Sequence, residues 1–166
     1  MKKTKDIISD KVAAVNQILP HTNKWAWDLF IDGAANNWMP TEISMAKDIE
    51  QWRGDSLTED EKLVIKRSLG FFAGSESLVA NNLLLSVFKF VTDPECRQYI
   101  LRQAYEESLH NLTVVYCCDS LGLDIEEVYE AYSSIPSIKA KDNFLMNICT
   151  DINRADFNIN TLEGKR

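Results

Sequence analysis

The chain has 166 residues, which is enough for one domain with a substantial core and too few for two ordinary domains. Hydrophobic residues make up 45% and charged residues 26%, a globular balance that excludes general disorder. The 18 basic and 25 acidic side chains give a net charge of -7, which argues against a nucleic-acid binder that relies on phosphate contacts.

The cysteines and the N-terminal segment indicate the compartment. The four cysteines show no Cys-x-x-Cys spacing, and the adjacent pair Cys117 and Cys118 is a poor disulfide candidate. The charged N-terminal segment lacks the apolar run of a signal peptide, and no stretch approaches the roughly 20 apolar residues that span a bilayer. We therefore expect a reduced, cytoplasmic protein without a membrane segment.

Short helical segments are predicted before the longer ones. Four apolar residues at helical spacing predict a first helix over residues 5–19, which Pro20 ends. These four are Ile8, Val12, Val15 and Leu19. A second helix is predicted over residues 23–37, and a further segment runs from Thr41 to Trp52 and closes at Gly54.

A long helix is predicted to follow. Thr58 and Glu61 form a Thr-x-x-Glu capping box at its start. Because no proline interrupts the sequence before Pro94, this helix is predicted to run for about 33 residues, or roughly 50 Å.

A second long helix begins near Pro94, a residue that suits the first helical turn. Thr92 and Glu95 repeat the capping box there, and Gly122 is a natural stop after Leu121.

The C-terminal part of the sequence predicts two further helices. Asp124 with Glu127 opens a short helix to about Ser133, and a last helix covers residues 138–150 after Pro136. Since no run of alternating β-branched residues is present, the predicted class is all-α.

Three residues on the long helices could carry chemistry. Glu107 and His110 form Glu-x-x-His, and positions i and i+3 share one helical face, so both can bind one metal ion. Glu76 lies one turn from apolar residues on either side, where a carboxylate is costly unless it is paired, protonated or bound to a cation. From spacing alone, a solvated surface position remains open for all three residues.

Together these residues match half of a known pattern. Dinuclear sites in ferritin-like bundles take a lone carboxylate from each of two helices and Glu-x-x-His from each of the other two. Glu76 provides one lone carboxylate, and Glu107 with His110 provides one Glu-x-x-His.

Three segments carry a more specific resemblance: NNWMPTEISMAKDIEQW, LGFFAGSESLVANN and RQAYEESLHNLTVVY. In order and spacing they resemble the small, radical-generating subunit of class I ribonucleotide reductase, over residues 24–142. The similarity covers only the N-terminal half of that subunit. It implies that residues 1–166 form a single incomplete ferritin-like domain.

The resemblance implies roles for individual residues. Glu76, Glu107 and His110 would be metal ligands, with Glu107 bridging both metals, whereas Glu106 would be a neighbour and not a ligand. Trp38 would pass electrons between the surface and the metal site.

Two departures resemble the manganese/iron subclass of this family. The protein has Glu76 where most relatives carry Asp, and Val114 where most carry the radical tyrosine. Valine cannot form a stable radical, so a tyrosyl mechanism at that position is excluded. Tyr116 could be a redox side chain or a packing residue.

The expected function is therefore that of an oxidoreductase component. A dinuclear centre, manganese/iron or di-iron, would generate an oxidant and send it through Trp38 to a large catalytic subunit, where ribonucleotides become deoxyribonucleotides. Besides this large subunit, the expected partner is a second copy of the protein in a homodimer, a separate C-terminal half, or both. Neither nucleic acid nor a membrane is an expected partner.

Two alternatives stay open. The ligand-binding manganese/iron oxidases share the metal site and also lack the radical tyrosine, although the motif around Trp38 favours the reductase. The protein could instead be an inactive structural fragment, because the second Glu and the second Glu-x-x-His belong to the other half of the subunit. Three ligands alone should bind metals weakly.

Overall fold

The structure is a computed structural model that describes residues 6–11 and 14–165. Within these residues there are seven α-helices, a 3-10 turn at Pro40–Glu42 and a π-helical segment at Leu83–Val87. The α-helices are α1 (Lys24–Ala35), α2 (Ala46–Arg53), α3 (Glu59–Asn82), α4 (Pro94–Leu121), α5 (Ile125–Tyr129), α6 (Ala131–Ser134) and α7 (Pro136–Asp151). Extended pairing among the described residues amounts to one isolated bridge, so the predicted all-α class is confirmed. No helix in residues 6–11 and 14–165 combines the length and apolar character needed to cross a bilayer.

The protein divides into two compact units. The first comprises Met1–Asn37, Val79–Glu106 and Asn147–Arg166. Its buried apolar cluster consists of Ala26, Val91 and Cys96. The second unit comprises Trp38–Leu78 and Glu107–Met146. Its buried apolar cluster consists of Ala73, Val114, Cys118 and Val128.

The helix predicted over residues 5–19 is wrong for the described residues. Instead, Ile8 forms an antiparallel bridge with Val91, and the Ser9 N–H donates to the Phe90 carbonyl at 2.9 Å. These bonds to a distant part of the sequence replace the bonds that a helix would make locally. Two of the apolar residues behind the prediction are mostly exposed, at 76% for Val15 and 66% for Leu19. Val12 lies outside the described residues.

Helix α3 begins as predicted but ends earlier. The Thr58 N–H donates to Glu61 Oε2 at 2.8 Å, and the Glu61 N–H donates to Thr58 Oγ1 at 3.3 Å, which confirms the capping box. The predicted length is wrong, because α-helical bonding stops at Asn82. The following π-helical segment closes with the Phe88 N–H bonded to the Leu83 carbonyl at 2.8 Å.

Helix α4 is capped by Asp93, and not by Thr92 as predicted. Asp93 Oδ1 accepts the N–H groups of Glu95 and Cys96 at 3.0 and 2.9 Å. The Thr92 hydroxyl is not free for capping because it donates to the Asp6 carbonyl. The Glu95 carboxylate also points elsewhere, toward residues that precede α1, so the predicted Thr92–Glu95 box is wrong.

The end of α4 and the helices after it follow the predictions more closely. Gly122 has φ +66°, and the Leu123 N–H bonds the Cys118 carbonyl at 3.0 Å, which is a Schellman C-cap. Asp124 caps α5 by accepting two backbone N–H groups, and the predicted helix to Ser133 is divided into α5 and α6. The predicted last helix is present as α7.

Candidate metal centre

Helices α3 and α4 bring Glu76, Glu107 and His110 together within the second unit. His110 Nδ1 lies 3.0 Å from Glu76 Oε2 and 3.1 Å from Glu107 Oε2. One ligand atom from each residue lies within 4.8 Å of the others. Glu107 and His110 meet because they are one helical turn apart, whereas Glu76 is 34 residues away from His110 and arrives from the other helix. The predicted convergence of the three side chains is therefore confirmed.

Burial differs among the three side chains. The Glu107 side chain is 10% exposed and the Glu76 side chain 19%, whereas the His110 side chain is 44% exposed. Burial raises the pKa of Glu107, as does the adjacent Glu76 carboxylate, and His110 offsets this only in part. Burial lowers the pKa of His110, but the two carboxylates outweigh that effect and raise it. The pKa values of Glu107 and His110 are therefore linked through their contacts with each other and with Glu76.

The donor set fits one side of a dinuclear metal centre. Carboxylates and an imidazole are ligands for iron and manganese, and the pattern in ferritin-like bundles uses two such sets. A divalent cation between Glu76 and Glu107 would offset the cost of holding two acids together with one of them buried. The three residues therefore match one of these two sets in side-chain type.

A cavity of about 320 Å³ adjoins these ligands. Its lining residues are Trp38, Leu69, Phe72, Glu76, His110, Thr113 and Val114. Val114, four residues after His110, is one of these lining residues. Sequence reasoning missed Leu69 and Thr113, although helical spacing from Glu76 and His110 was the signal that could have found them.

The two candidate redox side chains lie in different surroundings. The Trp38 ring lies against the His110 imidazole, with ring centroids 6.1 Å apart and an interplanar angle of 31°. Tyr116 is not among the residues that line the cavity, and its hydroxyl donates to the Ile43 carbonyl at 2.8 Å. Glu106 forms an ion pair with Arg102 and is not one of the three clustered residues.

The sequence and the fold have counterparts among known proteins. The family model "Ribonucleotide reductase, small chain" matches residues 15–163. The protein belongs to this family. It is 49% identical over 160 residues to the ribonucleoside-diphosphate reductase subunit beta of Chlamydia pneumoniae, a match that covers 96% of its own length and 46% of that subunit. It is 29% identical over 128 residues to the ribonucleoside-diphosphate reductase small chain of Neurospora crassa, covering 75% of its own length and 31% of that relative.

Solved structures of the ribonucleotide reductase family share the fold. The R2 subunit from Clostridium botulinum superposes with a TM-score of 0.80 at 22% identity, over 90% of the present protein and 47% of that subunit. A putative class I ribonucleotide reductase from Bacillus halodurans gives a TM-score of 0.72 at 23% identity, over 80% and 47%. The ferritin-like fold is thereby confirmed. The protein spans less than half the length of each of these four relatives.

Proposed function

We propose that this protein supplies half of the dinuclear metal centre of a ribonucleotide reductase small subunit. Glu76, Glu107 and His110 would be its ligands, with Glu107 bridging the two metals. The observation that carries the proposal is the meeting of a buried acid, a second acid and an imidazole within 4.8 Å, in a member of this family.

When bound, a manganese/iron or di-iron centre supplies the oxidising equivalent that starts the reduction of ribonucleotides on the large subunit. Val114 limits which side chains beside the metal site can be oxidised. It is buried at the cavity wall, four residues after His110, and it has no oxidisable group. Val114 together with Glu76 in place of Asp favours the manganese/iron form.

Trp38 is proposed as the first side chain of the electron path. Its ring contacts the imidazole of a ligand and lines the same cavity, so it joins the metal site to the segment before the Pro40–Glu42 turn. Tyr116 is a second candidate, which its hydrogen bond to Ile43 holds in a defined orientation.

The partners follow from the incomplete ligand set. We infer that the remaining ligands come from a separate C-terminal half or from a second copy in a homodimer, and that a large subunit completes the enzyme. Large apolar side chains of the second unit are exposed on both long helices, among them Phe72 at 46% and Leu112 at 39%, which favours such an association. The two units would then belong to one incomplete ferritin-like domain.

The alternatives have less support. The relatives named above are reductases, which favours the reductase over a ligand-binding oxidase. An inactive structural fragment would show no metal binding.

The four cysteines are free thiols in the structure, which supports a reducing, cytoplasmic location.

Equilibrium dialysis of the protein against iron(II) and manganese(II), with light scattering, tests the proposal. We expect weak binding that His110→Ala and Glu107→Gln abolish, and that the adjacent control Glu106→Gln retains. Binding that survives both ligand variants would contradict the assignment. Tight binding of two metals by a strict monomer would show that the site is built in another way.

A further inference from the structure

Beside the ligands, a polar link joins α3 to α4. Ser77 directly follows the ligand Glu76, and Asn111 directly follows the ligand His110. The Ser77 hydroxyl lies 3.1 Å from Asn111 Oδ1, and Asn111 Nδ2 donates to the backbone carbonyl of Glu107 at 3.1 Å. The link therefore reaches the backbone at, or next to, all three candidate ligands.

The Glu107 carbonyl determines how the link is oriented. A carbonyl only accepts, so the amide nitrogen of Asn111 must face it, and the amide oxygen is left facing Ser77. Ser77 Oγ also lies 3.3 Å from the Ala73 carbonyl of its own helix. Its single proton is thus shared between an acceptor on α3 and an acceptor on α4, and the second one is closer.

Apolar packing between the helices acts together with this link. Ala73 and Val114 belong to one buried cluster about a turn away from the ligands, and their packing resists separation of the helices. Such packing is non-directional, so it fixes the relative position of the two helices less finely than a hydrogen bond does. One residue of helix rise is about 1.5 Å, whereas metal–ligand distances hold to within about 0.2 Å. A directional hydrogen bond beside the ligands therefore adds to the register that packing and the direct contact between Glu76 and His110 provide.

We propose that Ser77 and Asn111 are positioning residues that set the register of the metal ligands. This inference rests on the proposed metal site. Ser77 is exposed and Asn111 is half-buried, so water competes for the bond. A single exposed hydrogen bond changes an equilibrium constant by little more than about tenfold. We therefore expect removal of the bond between Ser77 and Asn111 to weaken metal binding about three- to tenfold.

Cobalt(II), whose visible absorption reports its coordination geometry, is the probe for the test. The protein is titrated with cobalt(II) as wild type, Ser77→Ala, Asn111→Ala and the double variant. Ser77→Thr keeps the hydroxyl and should restore binding. Ser68→Ala is the matched control, because the Ser68 hydroxyl bonds only the Val64 carbonyl of the same helix among the described contacts. Urea unfolding of each variant without metal measures stability separately.

The expected result is an affinity about three- to tenfold weaker and a changed cobalt spectrum for Ser77→Ala and Asn111→Ala, with the double variant no weaker than either one. Ser77→Thr and Ser68→Ala should resemble the wild type. Unchanged affinity in both alanine variants, or an equal loss in Ser68→Ala, would overturn the positioning role while leaving the metal site intact. If the wild type binds no cobalt, the proposed metal site fails and this inference fails with it.

Discussion

Removal of the buried Glu95 carboxylate should destabilise the first unit more than removal of an exposed capping carboxylate destabilises its helix. Glu95 is 1% exposed and lies in the first turn of α4. Its Oε2 accepts the backbone N–H groups of Thr22 and Asn23 at 2.9 and 2.7 Å, and also the Thr22 hydroxyl at 3.0 Å. Its Oε1 contacts His21 Nδ1 at 2.7 Å. One buried carboxylate thus binds the backbone directly before a helix that begins about 70 residues earlier in the sequence.

The magnitude follows from the groups left without a partner. Glu95→Ala removes a charged acceptor from two backbone N–H groups, and each hydrogen bond to a charged group contributes about 1.5–3 kcal/mol. A loss of about 3–5 kcal/mol in the free energy of unfolding is expected, which is a large share of the roughly 5–15 kcal/mol typical of a domain. Glu95→Gln keeps one oxygen for the backbone donors and should cost about half as much.

Urea unfolding at neutral pH, followed by circular dichroism, measures these losses. The control is Glu61→Ala, which removes a carboxylate that accepts the backbone N–H and the hydroxyl of Thr58 in the exposed cap of α3. Water can replace that acceptor, so we expect a loss of about 1 kcal/mol or less. If Glu95→Ala costs no more than Glu61→Ala, the assignment of Glu95 as a buried anchor for the segment before α1 is refuted.

Three further predictions concern pH, packing and the cavity. Burial raises the pKa of Asp93 and of Glu95, but the hydrogen bonds that the two carboxylates accept outweigh this effect and lower both pKa values. The stability that these carboxylates add is therefore present above about pH 5 and is lost as the pH falls. The difference in urea midpoint between the wild type and Glu95→Gln should accordingly shrink on acidification. Gly70→Ala should destabilise the protein by about 1–3 kcal/mol in thermal unfolding, because the new Cβ would lie 2.5 Å from the Cβ of Ala131 in α6. Gly74→Ala should be near neutral or stabilising, because the nearest contacts of its new Cβ would be at 3.4 Å. In a protein completed by its second half, Val114→Tyr should give a tyrosyl signal in electron paramagnetic resonance after exposure to oxygen, and its absence would mean that the surrounding site forbids the radical.

The sequence by itself determines the features that depend on local chemistry. The capping box of Thr58 and Glu61, the stop at Gly122 and the pairing of Glu107 with His110 all follow from residues within one or two helical turns. These features can be read from spacing because bonds between near neighbours require no knowledge of the rest of the fold. The all-α class follows from the same periodicity.

Tertiary structure decides what depends on residues far apart in the sequence. The described part of residues 5–19 does not form the predicted first helix, because its backbone pairs with residues 90–92. Helix α4 is capped by Asp93, because Thr92 and Glu95 bond distant partners. The contact of Glu76 with His110 at 3.0 Å depends on the register of two helices, which no local pattern encodes. Sequence spacing can predict the candidate ligands, but only packing and directional bonds between helices bring their atoms to one point.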